Sequence, residues 1–225
     1  SAICRSVGVV PIKFKSVILN STDVVGSISG YASEQKFDYL LIATRGAGWI
    51  KEIFGTHTSR LLHISSIPVI VVPSQYKYHP IKRIIYATDL QNFENELARL
   101  IEFARPLHAG IEMLSLRQDF EGMSNPEELQ QQLSDKFHYP ISYRQVSRNI
   151  ERSLIEDLHV KIDESRSSML ALFSHHDRKG FERILFPSNA EQYSFYARIP
   201  LLILSKQDQG GKQTVKPKGV VKDKG

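Results

Sequence analysis

Between Tyr39 and Pro73 the chain reads YLLIATRGAGWIKEIFGTHTSRLLHISSIPVIVVP, which sets a strand, a glycine-rich loop, a helix start and a second strand in fixed order. Tyr39 to Ala43 is apolar without alternation, the pattern of a parallel strand buried on both faces. Arg45-Gly46-Ala47-Gly48 follows at its C-terminal end, the edge at which open α/β sheets bind ligands. Gly46 and Gly48 carry no Cβ and accept positive φ, so backbone N–H groups there can approach a phosphate closely. Gly55-Thr56-His57-Thr58 reads as a helix entrance with Thr56 or Thr58 as cap, its free first-turn N–H groups turned to the same anion. This is the layout of an anion-binding turn.

The α/β unit that carries it occurs twice. Ile12 to Val17 has a counterpart in Ile141 to Val146, Phe54-Gly55-Thr56 in Phe186-Pro187-Ser188, and Ile67 to Val71 in Ile199 to Ile203. Two copies of one α/β unit are joined near Ser74 to Pro80. In the second copy the periodicities predict strands over Arg83–Thr88, Ile111–Leu116, Ile141–Val146, Met169–Phe173 and Leu201–Leu204. Helices are predicted over Asn92–Leu107, Pro126–Phe137, about Ile150–Ile162 and, as a short one, Ala190–Tyr196. Pro126 stands at a first helical position behind Ser124 or Asn125 as cap. Alternating strands and helices argue a parallel sheet with right-handed crossovers. The first copy shows only a strand (Ile12–Leu19), a helix (Val24–Gln35), the strand ending at Ala43, the loop with a short helix, and the strand at Val69.

The segment Ala43 to Pro73 resembles the nucleotide-binding signature of the universal stress protein family, Gly-x2-Gly-x9-Gly-[Ser/Thr], followed by a short helix and a strand of the type Pro68-Val69-Ile70-Val71-Val72. Two departures stand out. Ala43 replaces the first glycine, and eight residues instead of nine separate Gly46 from Gly55. The resemblance implies two adenine-nucleotide alpha-hydrolase-like (Rossmann-like) domains, each a parallel five-stranded sheet of order 3-2-1-4-5, with the two final strands pairing across a pseudo-two-fold axis as in the family's dimers. It implies ATP or AMP as ligand, held by Ala43, Thr44, Arg45, Gly46, Gly48, Gly55, Thr56, His57 and Thr58. On that template residues 1–75 are the C-terminal part of a first domain, 81–205 a second domain and 206–225 a tail. Two such domains take about 270 to 300 residues, against 225 here, so the expectation is a first domain short of roughly 60 to 75 N-terminal residues.

In the second copy Thr88-Asp89 ends the first strand at the crevice edge. The resemblance makes Asp89 a contact to the nucleotide's base or ribose; equally, Asp89 caps the helix that follows Asn92. The matching phosphate loop reads Ser174-His175-His176-Asp177-Arg178-Lys179-Gly180, and Pro187 removes one N–H donor. Thr88 and Asp89 are then a remnant of a degenerate site, unable to combine with the loop of the first copy because each belongs to its own sheet.

The net charge of +5 is misleading until located: six lysines and two aspartates between Lys206 and Gly225 contribute +4 of it. That tail is rich in Gly, Lys and Pro, and disorder is expected. Without interleaved aromatics it reads as a solvated terminus rather than a nucleic-acid arm. No apolar run approaches the length of a membrane span, and Cys4, the single cysteine, suits a reducing cytoplasm. His175-His176-Asp177 lacks further ligands, and His57 and His63 do not share a helix face, so no metal is expected. Trp49, Tyr193, Phe195 and Tyr196 read as packing residues. No general base or activated nucleophile can be placed near Gly46. The expectation is a non-catalytic, regulatory nucleotide binder with an unknown protein partner; the rivals are an interaction scaffold that binds no nucleotide, and a slow ATPase.

Overall fold

A computed structural model of the chain describes residues 15–43, 60–62, 64–73, 76–88, 90–117, 125–147, 160, 164, 167–174 and 199–205. Among these, seven strands form one sheet: β1 (Leu40–Ala43), β2 (Val69–Val72), β3 (Arg83–Thr88), β4 (Gly110–Arg117), β5 (Ile141–Ser147), β6 (Met169–Ser174) and β7 (Leu201–Ser205). Their spatial order is β1-β2-β7-β6-β3-β4-β5. Every neighbouring pair is parallel except β2 with β7, which run antiparallel with Ile70 opposite Leu202.

Within the second half the five strands keep the order 3-2-1-4-5 that the family resemblance implies. The two halves do not, however, have separate sheets. The β2–β7 seam fuses them into one, and it joins the two final strands of the repeat as anticipated.

The strand pairs β1–β2 and β6–β7 share a hydrogen-bonding pattern. The Leu40 N–H donates to the Pro68 carbonyl at 2.9 Å, and the Leu170 N–H donates to the Pro200 carbonyl at 3.0 Å. Leu40 stands opposite Val69 as Leu170 stands opposite Leu201. β1 with β2 and β6 with β7 are thus paired in the same register relative to Pro68 and Pro200.

Among the elements described from end to end, three helices lie on this sheet: α1 (Val24–Glu34), α2 (Phe93–Ala104) and α3 (Pro126–Phe137). Asp23 caps α1 by accepting from the Gly26 N–H at 3.0 Å, and both its oxygens take the Arg60 guanidinium in a fork at 2.8 and 2.9 Å. That fork ties α1 to the helical residues 60–62. Asn125 caps α3, with Pro126 at its start, Glu127 and Glu128 in the first turn and Lys136 in the last, each placed as the helix dipole favours. α2 passes into a 3-10 turn, Arg105–Leu107, where Pro106 cannot continue the ladder, and His108 closes it at φ 52°.

Side chains alternate between two apolar layers. One holds Ile84, Tyr86, Ile111, Met113, Ala171 and Leu202 under the buried stripe Leu97, Leu100, Ile101 and Ala104 of α2. The other holds Ile85, Leu114, Leu170, Leu172, Val69 and Val71 with Val25 of α1 and Leu61 and Leu62.

Two expectations are corrected here. Residues 15–20 form no strand, and Ile18 is 96% exposed; a strand forms only against a pairing neighbour, and none of the described strands lies beside these residues. β1 is not buried on both faces: Leu40 and Ile42 meet the core, while Leu41 is 68% exposed, although Phe103 of α2 meets the neighbouring Tyr39 ring edge-on at 5.4 Å. The predicted helices about 150–162 and 190–196 fall mainly or wholly outside the described residues, as does the tail 206–225.

Candidate functional site

The sequence places its principal site at the C-terminal end of β1. Ala43 is there, the last residue of the strand and exposed. Thr44, Arg45, Gly46, Gly48, Gly55, Thr56, His57 and Thr58 lie outside the described residues, with Trp49 and His63. The chain nevertheless leaves the sheet at Ala43 and has returned to helix by Arg60. β1 therefore ends, just ahead of the glycine-rich stretch in the sequence, at the carboxyl edge of parallel strands, where this class of sheet binds ligands.

Thr88 is the second placed residue, half-buried at the end of β3. Its Oγ1 accepts from the Leu90 N–H at 3.0 Å and lies 3.1 Å from the Tyr86 hydroxyl. Those bonds give Thr88 a structural task, closing the turn in which Leu90 and Asn92 take positive φ of 64° and 55°. The N-cap position of α2 is Asn92. Asp89 itself lies outside the described residues, as do His175, His176, Asp177 and Pro187.

The two half-sites were expected to stay apart as members of separate sheets. They are apart for another reason. Because β2 and β7 run antiparallel, the carboxyl ends of the first-half strands and those of the second half lie at opposite ends of one sheet. Ala43 and Thr88 belong to different edges.

Around Thr88 the structure assembles polar groups that the sequence reading missed. Thr88, Ser115 and Gln145 stand in register across β3, β4 and β5 on one face. Ser115 is fully buried, and among the described residues neither its Oγ nor the Gln145 Nε2 has a hydrogen-bond partner. Below them the Tyr86 hydroxyl donates to the Glu96 carboxyl group, both residues buried. One turn further along α2, Arg99 donates to the Ser205 carbonyl and lies over the Phe173 ring at 5.5 Å. Burial lowers the pKa of its guanidinium, against the opposing pull of Glu102 and Glu96. The signal was legible: Glu96 sits three residues after Phe93 and four before Leu100, an acid on the apolar stripe of α2.

On the other face Arg144 of β5 reaches the buried Glu112 at 3.1 Å and Glu164 at 3.7 Å. Among the described residues no three His, Cys, Asp or Glu side chains gather as metal ligands would, and no helix is long and apolar enough to cross a membrane.

Alternating strands and helices on a largely parallel sheet define a doubly wound α/β protein of the Rossmann-like class. The particular fold is that of the universal stress proteins. A universal stress protein from Archaeoglobus fulgidus superposes with a TM-score of 0.61 at 15% identity, over 92% of this chain and 73% of that one. A putative universal stress protein from Pseudomonas aeruginosa UCBPP-PA14 gives 0.53 at 12%, over 91% and 75%. A functionally unknown protein from Pseudomonas aeruginosa PAO1 gives 0.53 at 13%, over 91% and 74%. At these identities the likeness is one of fold. No family model and no curated protein matches the sequence.

Proposed function

We propose that the chain is a tandem universal stress protein that binds an adenine nucleotide, ATP or AMP, through the loop Ala43 to Thr58 of its first half and acts as a regulator rather than a catalyst. The observation that carries this reading is the position of Ala43. β1 ends at Ala43 on the carboxyl edge of a parallel pair and the chain is helical at Arg60; the Arg45-Gly46-Ala47-Gly48 stretch follows Ala43 in the sequence, which supports a reading in which its backbone N–H groups reach a phosphate. The resemblance of 43–73 to the family signature and the shared fold support the same assignment. Ligand occupancy would order residues 45–58 and so change the surface offered to a partner. In the second half, the engagement of Thr88 within the protein supports a degenerate site.

A ligand that binds only the folded state raises its melting temperature. The test is thermal unfolding with ATP, ADP, AMP or buffer. A rise with an adenine nucleotide, lost in Gly46→Asp, is expected; melting unchanged by all three would sink the reading and favour the scaffold, for which the uncovered Leu41 is the specific observation. Steady phosphate release abolished by Gly46→Asp would instead revive the slow ATPase.

A further inference from the structure

We propose that the amino-end rim of β3, β4 and β5, together with residues 76–82 that lead into it, binds single-stranded RNA. Nothing in this surface depends on the loop after Ala43. Because β3, β4 and β5 are parallel, the segments that enter them, residues 76–83, 105–110 and 136–141, meet at one edge of the sheet. All of these residues are described; five are lysine or arginine, three are histidine, and none is an aspartate or glutamate. Lys136 is held by Glu94 at 2.7 Å, which leaves Lys77, Lys82, Arg83 and Arg105 as the charge of the rim. The nearest acids in sequence, Glu102 and Asp135, stand behind it on α2 and α3. A polyanion is the matching partner.

The rim is held by its own hydrogen bonds. Ser168 Oγ, at the entrance to β6, accepts from the N–H groups of Lys82 and Arg83 at 3.0 and 3.1 Å. The Tyr139 hydroxyl donates to the Ala109 carbonyl at 2.6 Å, and the Arg105 guanidinium lies 5.3 Å from the Tyr139 ring. In the linker the Tyr76 hydroxyl donates to the His79 carbonyl at 3.1 Å and closes a turn that leaves Tyr78 84% exposed. An exposed ring among cations is a platform on which a base stacks. The lysine tail lacks interleaved aromatics; here Tyr76 and Tyr78 alternate with Lys77 and His79.

Arg83 and Gly110 also line a pocket of about 260 Å³ with Ser134, Pro140 and Ser142. A site for a whole drug-sized ligand has about 300 to 1,000 Å³, so this one suits a single nucleoside of a longer strand. Ser134 Oγ gives its proton to the Ile141 carbonyl at 3.1 Å and Ser142 Oγ to the Ile111 carbonyl at 3.5 Å, so both offer the pocket lone pairs. A ribose 2′-hydroxyl donates to such an acceptor and deoxyribose does not, which favours RNA over DNA.

The probe is fluorescein-labelled oligo(U) about ten nucleotides long, titrated with the full chain by anisotropy at several salt concentrations. Saturable binding that weakens as salt rises is expected. Tyr78→Ala should weaken it at least about fivefold through the loss of one stacked base. Lys77→Glu together with Lys82→Glu should weaken it further and flatten the log–log salt dependence by a slope of about 1. Tyr78, Lys77 and Lys82 are exposed, so the unfolding midpoints of these variants should be unchanged. Oligo(dU) of the same length should bind more weakly. No saturable binding of oligo(U), or binding that both variants retain in full, would overturn the proposal, the second by giving the RNA to the lysines from Lys206 onward. Equal affinity for oligo(dU) would overturn the choice of RNA. Displacement of oligo(U) by poly-glutamate of equal charge would overturn it too, by assigning the rim to an acidic protein.

Discussion

The phenol of Tyr86 donates a hydrogen bond to the carboxyl group of Glu96 in the layer between β3 and α2, where both side chains are buried. The pair joins the central strand of the second half to the first turn of the helix above it. Removing the donor while keeping the ring leaves a buried carboxyl group short of a partner, and such changes cost about 1 to 3 kcal/mol. Tyr86→Phe is expected to lower the free energy of urea unfolding by that amount, and Tyr86→Phe with Glu96→Leu by less than the two changes made separately. Additive losses would show that the pair is not coupled.

Ser115 is expected to behave in the opposite way. Its hydroxyl is fully buried without a hydrogen-bond partner among the described residues, a state that itself costs on the order of 1 to 3 kcal/mol. Ser115→Ala removes one atom and should raise the unfolding free energy or leave it unchanged. A clear loss of stability in the same urea titration would mean that the hydroxyl is bonded in solution.

Helix α1 contains two glycines that should answer differently to alanine. Gly30 is exposed, with nothing within 4 Å of an added Cβ, so Gly30→Ala should stabilise by about 1 kcal/mol through helix propensity. A Cβ at Gly26 would come within 2.4 Å of the Asp23 carboxylate, which caps the helix and holds Arg60. Gly26→Ala should therefore lose most or all of that gain, and recover it when Asp23→Ala has already removed the cap. Thermal unfolding of the four variants checks both statements.

Alkaline pH should weaken the second half through Tyr139. Its hydroxyl donates to the Ala109 carbonyl at 2.6 Å, and burial raises its pKa above the ordinary tyrosine value, against the opposing charge of Arg105. A phenol whose pKa is raised on folding stabilises the fold below the unfolded pKa, near 10, and that contribution is lost as pH climbs through the folded value. Tyr139→Phe should lower stability at neutral pH by about 1 kcal/mol and flatten the decline above about pH 10. An unchanged alkaline limb in a denaturation series would assign the decline elsewhere, Tyr39 being the next residue to examine, since its pKa is raised first by burial and then by Asp38 and Glu102.

Much of the second half was legible in the sequence because local signals and tertiary packing agree there. The stripe Leu97, Leu100, Ile101 and Ala104 forecast α2, and Asn125 with Pro126 forecast α3 to the residue. The first half was misread where neighbours decide the outcome. The apolar run at β1 is the same whether one face is covered or two, so periodicity could not foresee an exposed Leu41. The alternation of Ile12 to Val17 describes a strand only when another strand lies beside it. At the site, Thr88 was singled out by position, but its hydroxyl serves Leu90 and lies beside Tyr86. The fusion of both halves into one sheet depends on the register of Ile70 with Leu202, a contact between residues that no local pattern links.

The central claim is that a nucleotide binds the first half and not the second. Photolabelling of the chain with 8-azido-ATP, followed by proteolysis and identification of the labelled peptide, tests it most directly. The account predicts label on a peptide spanning residues 43–58, competed by ATP or AMP and absent in Gly46→Asp. Competed label on the peptide that contains Thr88 and Asp89 or on residues 174–188, with residues 43–58 unlabelled, would contradict it.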